Sequence, residues 1–211
     1  MVTLHYLSGS PYAWRVWLSL EHKGIAHTVK KLSYDAGDFD KPELGHLNPR
    51  RRVPVIVDDG FALYESAAIV EYLEDKWPEP RLLAAEIRQR ALQRRMIREA
   101  DQYFAPVMER LVVGVLFTPP EKQSKEEIAA AAKAVGEELA NWESAREGEF
   151  LAGEPSAVDF ALYPLLALTM RIARRSGIPG AEGLSGPRIG IWMKRMEALP
   201  VVRKTWPPHW S

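Results

Sequence analysis

In the first 76 residues the apolar positions fall into short extended runs separated by helical patterns, whereas from about residue 87 they recur at helical spacing in segment after segment. Val2 to Leu7 predicts a strand. Ser10 and Pro11 then supply an N-cap and a first-turn proline for a helix reaching about Lys23, with Trp14, Trp17, Leu18 and Glu21 at helical spacing and Gly24 as its stop. Ala26 to Leu32 predicts a second strand, and after the loop at 35–40 a short helix or turn runs through Pro42 to Leu47. Two short apolar strands between Val53 and Leu63 flank Asp58-Asp59-Gly60, a strong hairpin signal. Glu65 and Ser66 open a helix that continues from Ala67 to Glu74 and ends near Trp77-Pro78. The predicted order is βαβ followed by ββα.

Trp77 to Leu83 carries two prolines and reads as part of a linker. Beyond it, Glu86 to Phe117 predicts a long helix kinked at Pro106, where proline removes a backbone hydrogen bond, and Thr118-Pro119-Pro120 ends it. Lys125 to Arg146, a stretch starting at Ser156 and running through Leu162 to Arg174, and Arg188 to Leu199 predict further helices. A tail with Trp206, Pro207, Pro208 and Trp210 follows. The expected class is therefore α/β plus all-α: residues 1–76 as one domain, 77–86 as linker, and 87–211 as an all-helical bundle.

Composition narrows the function classes. The 211 residues carry 28 basic and 28 acidic side chains, so the whole-chain attraction of a nucleic-acid or anionic-membrane binder is missing. The arginines at 88, 90, 94, 95 and 98 form a solvated or interface face in this reading. No apolar run approaches the roughly 20 residues needed to span a bilayer, and no signal-peptide pattern follows Met1, so a cytoplasmic protein is expected. With no cysteine, disulfides, Cys-based zinc sites, Cys nucleophiles and dithiol chemistry within the chain are excluded. The five scattered histidines show no metal-binding spacing, and no metal is expected.

Three constellations could carry chemistry. Ser8-Gly9-Ser10-Pro11-Tyr12 stands between a strand and a helix N-terminus, where unpaired N–H groups and the helix dipole favour an anion or thiolate. Taken alone, Ser10 reads more readily as a simple N-cap. Arg52-Val53-Pro54 places a proline at a strand start, which a cis peptide would accommodate while turning the Val53 backbone outward to meet an extended peptide. Tyr64-Glu65-Ser66 opens a helix whose donors and carboxylate suit the charged end of an amino acid, although an acidic residue at a helix start is commonplace.

In order and spacing, S-P-Y-x-W-R-V, N-P-R-R-R-V-P-V at 48–55 and D-D-G-F-A-L-Y-E-S-A-A-I-V-E-Y-L at 58–73 resemble the glutathione-binding half of cytosolic glutathione transferases. G-E-P-S-A-V-D-F at 153–160 is similar to the capping box of the family's helical half, with Ser156 and Asp159 at S-x-x-D spacing. The resemblance implies a thioredoxin-like domain followed by the helical bundle, and a homodimer. It implies glutathione as co-substrate, a small hydrophobic electrophile as acceptor, and no other cofactor. Glu65 and Ser66 would hold the γ-glutamyl end, Val53 and cis-Pro54 the cysteinyl backbone, and Arg52 the glycyl carboxylate, although Arg50 and Arg51 compete for that last role. Ser10 matches the thiolate-stabilising hydroxyl of the serine-type classes, with Tyr6 and Tyr12 as rivals. Tyr12, Tyr103, Val107, Met108, Leu111 and Trp206 would line an acceptor site between the domains, although helical spacing alone reads such residues more readily as core, and Asp101 resembles a residue that reaches glutathione across the dimer. A non-catalytic glutathione-binding or protein-interaction module, and a glutathione-dependent isomerase or dehalogenase, are the alternative readings.

Overall fold

The computed structural model describes residues 1–144, 148–178 and 184–210. The chain divides into two compact units, Met1–Ala85 with Leu199–Ser211, and Glu86–Ala198.

In the first unit, β1 (Val2–Leu7), α1 (Pro11–His22), β2 (His27–Leu32), α2 (Pro42–Leu47), β3 (Val55–Asp58), β4 (Phe61–Tyr64) and α3 (Ser66–Lys76) follow in sequence. The sheet order is β2-β1-β3-β4, with β1 parallel to β2 and antiparallel to β3, and β3 antiparallel to β4. This is the thioredoxin-like arrangement expected. Asp59 and Gly60 take φ of 49° and 89°, the left-handed pair that a two-residue hairpin turn needs. Leu4, Leu18, Leu20, Ile56, Ile69 and Leu73 are fully buried, each contributing about 1.5–3 kcal/mol. On the α2 side, Leu32, Phe39, Leu44 and Val55 form a second cluster with Leu7, Leu47, Val53 and Tyr64 against it.

Two segments differ from the boundaries read in the sequence. Residues 77–85, expected as linker, belong to the first unit. Buried Lys23 donates to Trp77 C=O at 2.6 Å and Pro80 C=O at 2.9 Å, while Glu74 accepts from the N–H groups of Leu82 and Leu83. Leu82 and Leu83 are buried. The tail, expected in the helical domain, also belongs to the first unit, as α9 (Pro200–Thr205) and a 3₁₀ turn (Pro208–Trp210). Its tryptophans pack on Trp14 of α1.

The second unit contains α4 (Ile87–Glu99), α5 (Ala105–Val112), α6 (Lys125–Ser144), α7 (Ala157–Arg175) and α8 (Pro187–Ala198). The end of the helix expected to reach Arg146 lies outside the described residues, as does Ser211. Where a kink at Pro106 was expected, a π turn over Ala100–Phe104 joins α4 to α5. Pro106 has no N–H for Gln102 C=O, and the N–H of Ala105 reaches back five residues to Ala100 C=O. α7 is buried along nearly its whole length. At its start, buried Asp159 accepts from Ser156 N–H at 3.0 Å, Ser156 Oγ at 2.8 Å, Leu151 N–H at 2.9 Å and Trp192 Nε1 at 2.8 Å. Burial pushes its carboxyl above the usual range, and these donors oppose the shift.

Candidate active site

The sheet register collects the three constellations. His5 of β1 pairs with Val55 of β3, and Val55 pairs with Tyr64 of β4. The loop after β1, the loop before β3 and the start of α3 therefore leave the sheet at the same end. Strands lie about 4.8 Å apart, so β1 and β4 are separated by roughly 10 Å, the reach of about three extended residues.

At the first corner, Ser10 N–H donates to Leu7 C=O at 3.1 Å and closes a turn through Gly9, whose φ is +86°. Ser10 is extended (φ −69°, ψ 117°) and its Oγ accepts from Ala13 N–H at 3.3 Å. The capping role is thus real, but it uses only an acceptor lone pair. A hydroxyl has one donor besides, and the Ser10 O–H is not consumed by this bond. Ser10 stands at the N-terminus of a 12-residue helix, where negative charge is stabilised.

At the second corner, the Val53–Pro54 peptide is cis. Buried Asn48 shapes the approach to it: its Oδ1 accepts from Arg50 N–H and its Nδ2 donates to Arg52 C=O, both at 2.9 Å. Arg51 adopts φ +51°, and its Nη1 donates to Phe39 C=O at 3.3 Å, with the guanidinium over Gly45. Arg50, Arg51 and Arg52 are all exposed, and of the three Arg51 is engaged with the α2 loop.

At the third corner, Glu65 holds φ +71° as the N-cap position of α3, exposed to solvent. Ser66 is buried, and its Oγ accepts from Arg15 Nη1 at 3.3 Å. Arg15 is 2% exposed, and its guanidinium lies 5.8 Å from the centroid of the Tyr12 ring. One buried cation thereby links α1 to the start of α3.

The remaining expected residues disperse. The Tyr6 ring packs against Trp17 with centroids 4.9 Å apart, and burial pushes its phenol above the ordinary range, away from thiol chemistry near neutrality. Tyr103 is 60% exposed in the π turn and lines a cavity of about 400 Å³ with Met96, Glu138 and Trp142. Met108, expected in an acceptor pocket, is 1% exposed: its spacing with Ala105, Leu111 and Val112 places it on the buried face of α5. A cavity of about 450 Å³ in the first unit, lined by Trp17, Glu21, His27 and Lys204, touches none of the three corners. Among the described residues no cluster of His, Asp or Glu is disposed to hold a metal.

Residues 9–76, the span holding all three corners, match the family described as glutathione S-transferase, N-terminal domain. Glutathione S-transferase A of Pleuronectes platessa is 26% identical over 217 residues, covering 99% of this chain and 92% of that protein. Residues 9–76 carry the N-terminal domain of the glutathione S-transferase family. The crystal structure of a glutathione S-transferase from the Antarctic clam Laternula elliptica superposes with a TM-score of 0.83 at 28% identity, over 99% of this chain and 93% of that one. Maleylacetoacetate isomerase of Pseudomonas aeruginosa is 38% identical over 91 residues, 43% of either protein, so that match spans less than half of the isomerase. Enzymes of the family use glutathione as co-substrate and need no cofactor.

The sequence pointed to the corners but not to what holds them. Asn48 stood in a quoted motif without a role, and Asn-Pro is a turn signal that could have marked it. Arg15 likewise stood in S-P-Y-x-W-R-V without a role, since its burial follows from α3 packing on α1. His209 lies 201 positions from Ser8, whose hydroxyl it meets.

Proposed function

We propose that the protein conjugates glutathione to a small hydrophobic electrophile. Glutathione lies extended across the end of the sheet: its cysteinyl backbone pairs with Val53 beside Pro54, its γ-glutamyl end meets Glu65 and Ser66, and its glycyl carboxylate approaches Arg52. The shared register of His5, Val55 and Tyr64, which brings these three corners together, carries this reading. The Ser10 O–H donates to the sulfur as the thiol proton leaves to solvent. The thiolate then attacks the electrophilic carbon, forming a C–S bond while the leaving group or the displaced electron pair departs. Tyr12, two residues into α1, is placed to meet the electrophile. An unperturbed thiol titrates near 8.5, and each unit of lowering is about 1.4 kcal/mol of preferential thiolate stabilisation.

A homodimer in the cytoplasm completes the proposal. Arg88, Arg94, Arg95 and Arg98 are exposed along α4 and would be occupied by a twofold partner. Light scattering should give about twice 23.9 kDa, and a monomer at micromolar concentration would remove the dimer from the proposal.

A panel of aryl halides, epoxides and unsaturated carbonyls assayed with glutathione tests the activity, with turnover of at least one expected. Calorimetry in parallel separates the outcomes: binding without turnover leaves a glutathione-binding module, and no binding overturns the reading. Similarity of the first half to the isomerase makes glutathione-dependent isomerisation of maleylacetoacetate the second reaction to assay.

A further inference from the structure

The return segment touches the turn that carries Ser10. Trp14 Nε1 donates to Thr205 Oγ1 at 2.7 Å, and the rings of Trp14, Trp206 and Trp210 meet edge to face with centroids 5.5 to 5.9 Å apart. These contacts hold the Pro208–Trp210 turn against residues 8–10. His209 Nδ1 lies 3.2 Å from Ser8 Oγ. A Cβ at Gly9 would meet His209 Nε2 at 3.0 Å and Trp210 Nε1 at 3.1 Å, so the tail fills the space that a side chain there would need.

We infer that His209 is a positioning residue for thiolate formation, acting through Ser8 to hold the Leu7–Ser10 turn. The inference rests on the glutathione reading above. Gly9 gives the turn its left-handed bend but also the widest conformational freedom of any residue. A hydroxyl that must meet a sulfur loses its effect when displaced by about 1 Å. The indoles anchor the tail; the imidazole adds a directed hydrogen bond to the residue before the glycine. Spanning Gly9 in this way restrains the residue that follows it, and that residue is Ser10.

The test uses the full-length chain with His209→Ala, His209→Asn, Ser8→Ala and the Ser8→Ala/His209→Ala double variant. Turnover, the pKa of bound glutathione and its Kd are measured for each. His209→Ala should lower kcat by about three- to tenfold and raise the bound thiol pKa, with Kd within about twofold of wild type. His209→Asn, which keeps a polar atom near the Nδ1 position, should recover most of the loss. Ser8→Ala should match His209→Ala, and the double variant should be no worse than either single one, because both remove the same bond. Additive losses, or a His209→Ala enzyme with unchanged kcat and thiol pKa, overturn the inference while leaving the glutathione reading intact. A wild-type chain that does not bind glutathione overturns both.

Discussion

Ser66 is a buried hydroxyl at a helix start, and its environment sets what it can offer a ligand. Its Oγ accepts from Arg15, which leaves its O–H and the first-turn backbone N–H groups facing the proposed γ-glutamyl carboxylate. Beside it Glu65 is exposed, with a backbone at φ +71°, and in the proposal its carboxylate meets the ammonium. Glu65→Ala and Ser66→Ala should each weaken glutathione binding by about 1–3 kcal/mol, the scale of losing a charged hydrogen-bond partner. Calorimetric titration reads this, and unchanged affinity in both variants removes the start of α3 from the site. Both residues were legible in the sequence because helix starts have a local signature. Arg15 was not. In α1 it occupies one more polar position, and only the packing of a helix some 50 residues later buries it.

Elements were legible where a local rule decides them and less so where a carbonyl must find a new partner. The capping box at Ser156 and Asp159 is a spacing rule, and it forms; Trp192 Nε1 and Leu151 N–H joining Asp159 from 33 and 8 residues away lie beyond any such rule. Asp159→Ala would leave these donors and Ser156 N–H buried without an acceptor. The expected loss is about 3 kcal/mol or more, read as a lower denaturant midpoint at unchanged m-value. A shift below about 0.5 kcal/mol would mean that the cap does not organise α7. Pro106 marked a break in the long helix but not its form, because the π turn lies upstream of the proline, at Ala100–Phe104. Likewise β3 begins at Val55, after the proline rather than at Val53.

For the whole molecule, the change in hydrophobic period put a linker at 77–86, and the two units part at its far end, between Ala85 and Glu86. Return of the tail to the first unit was not legible, since aromatic contacts between Trp14 and Trp206 or Trp210 leave no trace in local pattern. The same unit also carries a test of acid stability. Asp58, buried at the end of β3, accepts from Lys76 Nζ and from Tyr72 Oη, and these partners hold its carboxyl below the usual aspartate range. A carboxyl whose pKa is lowered on folding contributes stability above its unfolded value, near 3.9, and loses it as pH falls through the folded value. Thermal melts should therefore drop as pH falls from about 4, and Asp58→Asn should lower stability at neutral pH while flattening that acid limb. An acid limb unchanged by Asp58→Asn would place the acid sensitivity elsewhere.

Ionisation of bound glutathione, followed by thiolate absorbance against pH, decides most directly whether the Ser10 corner activates the thiol. In the wild type the bound thiol should titrate below its unperturbed value of about 8.5. Ser10→Ala should raise that pKa and lower turnover by about tenfold to a hundredfold, matching roughly 1.4–2.7 kcal/mol of lost thiolate stabilisation. Tyr6→Phe and Tyr12→Phe should leave it nearly unchanged. A tyrosine variant that moves the pKa while Ser10→Ala does not would contradict the assignment and transfer activation of the thiol to that phenol.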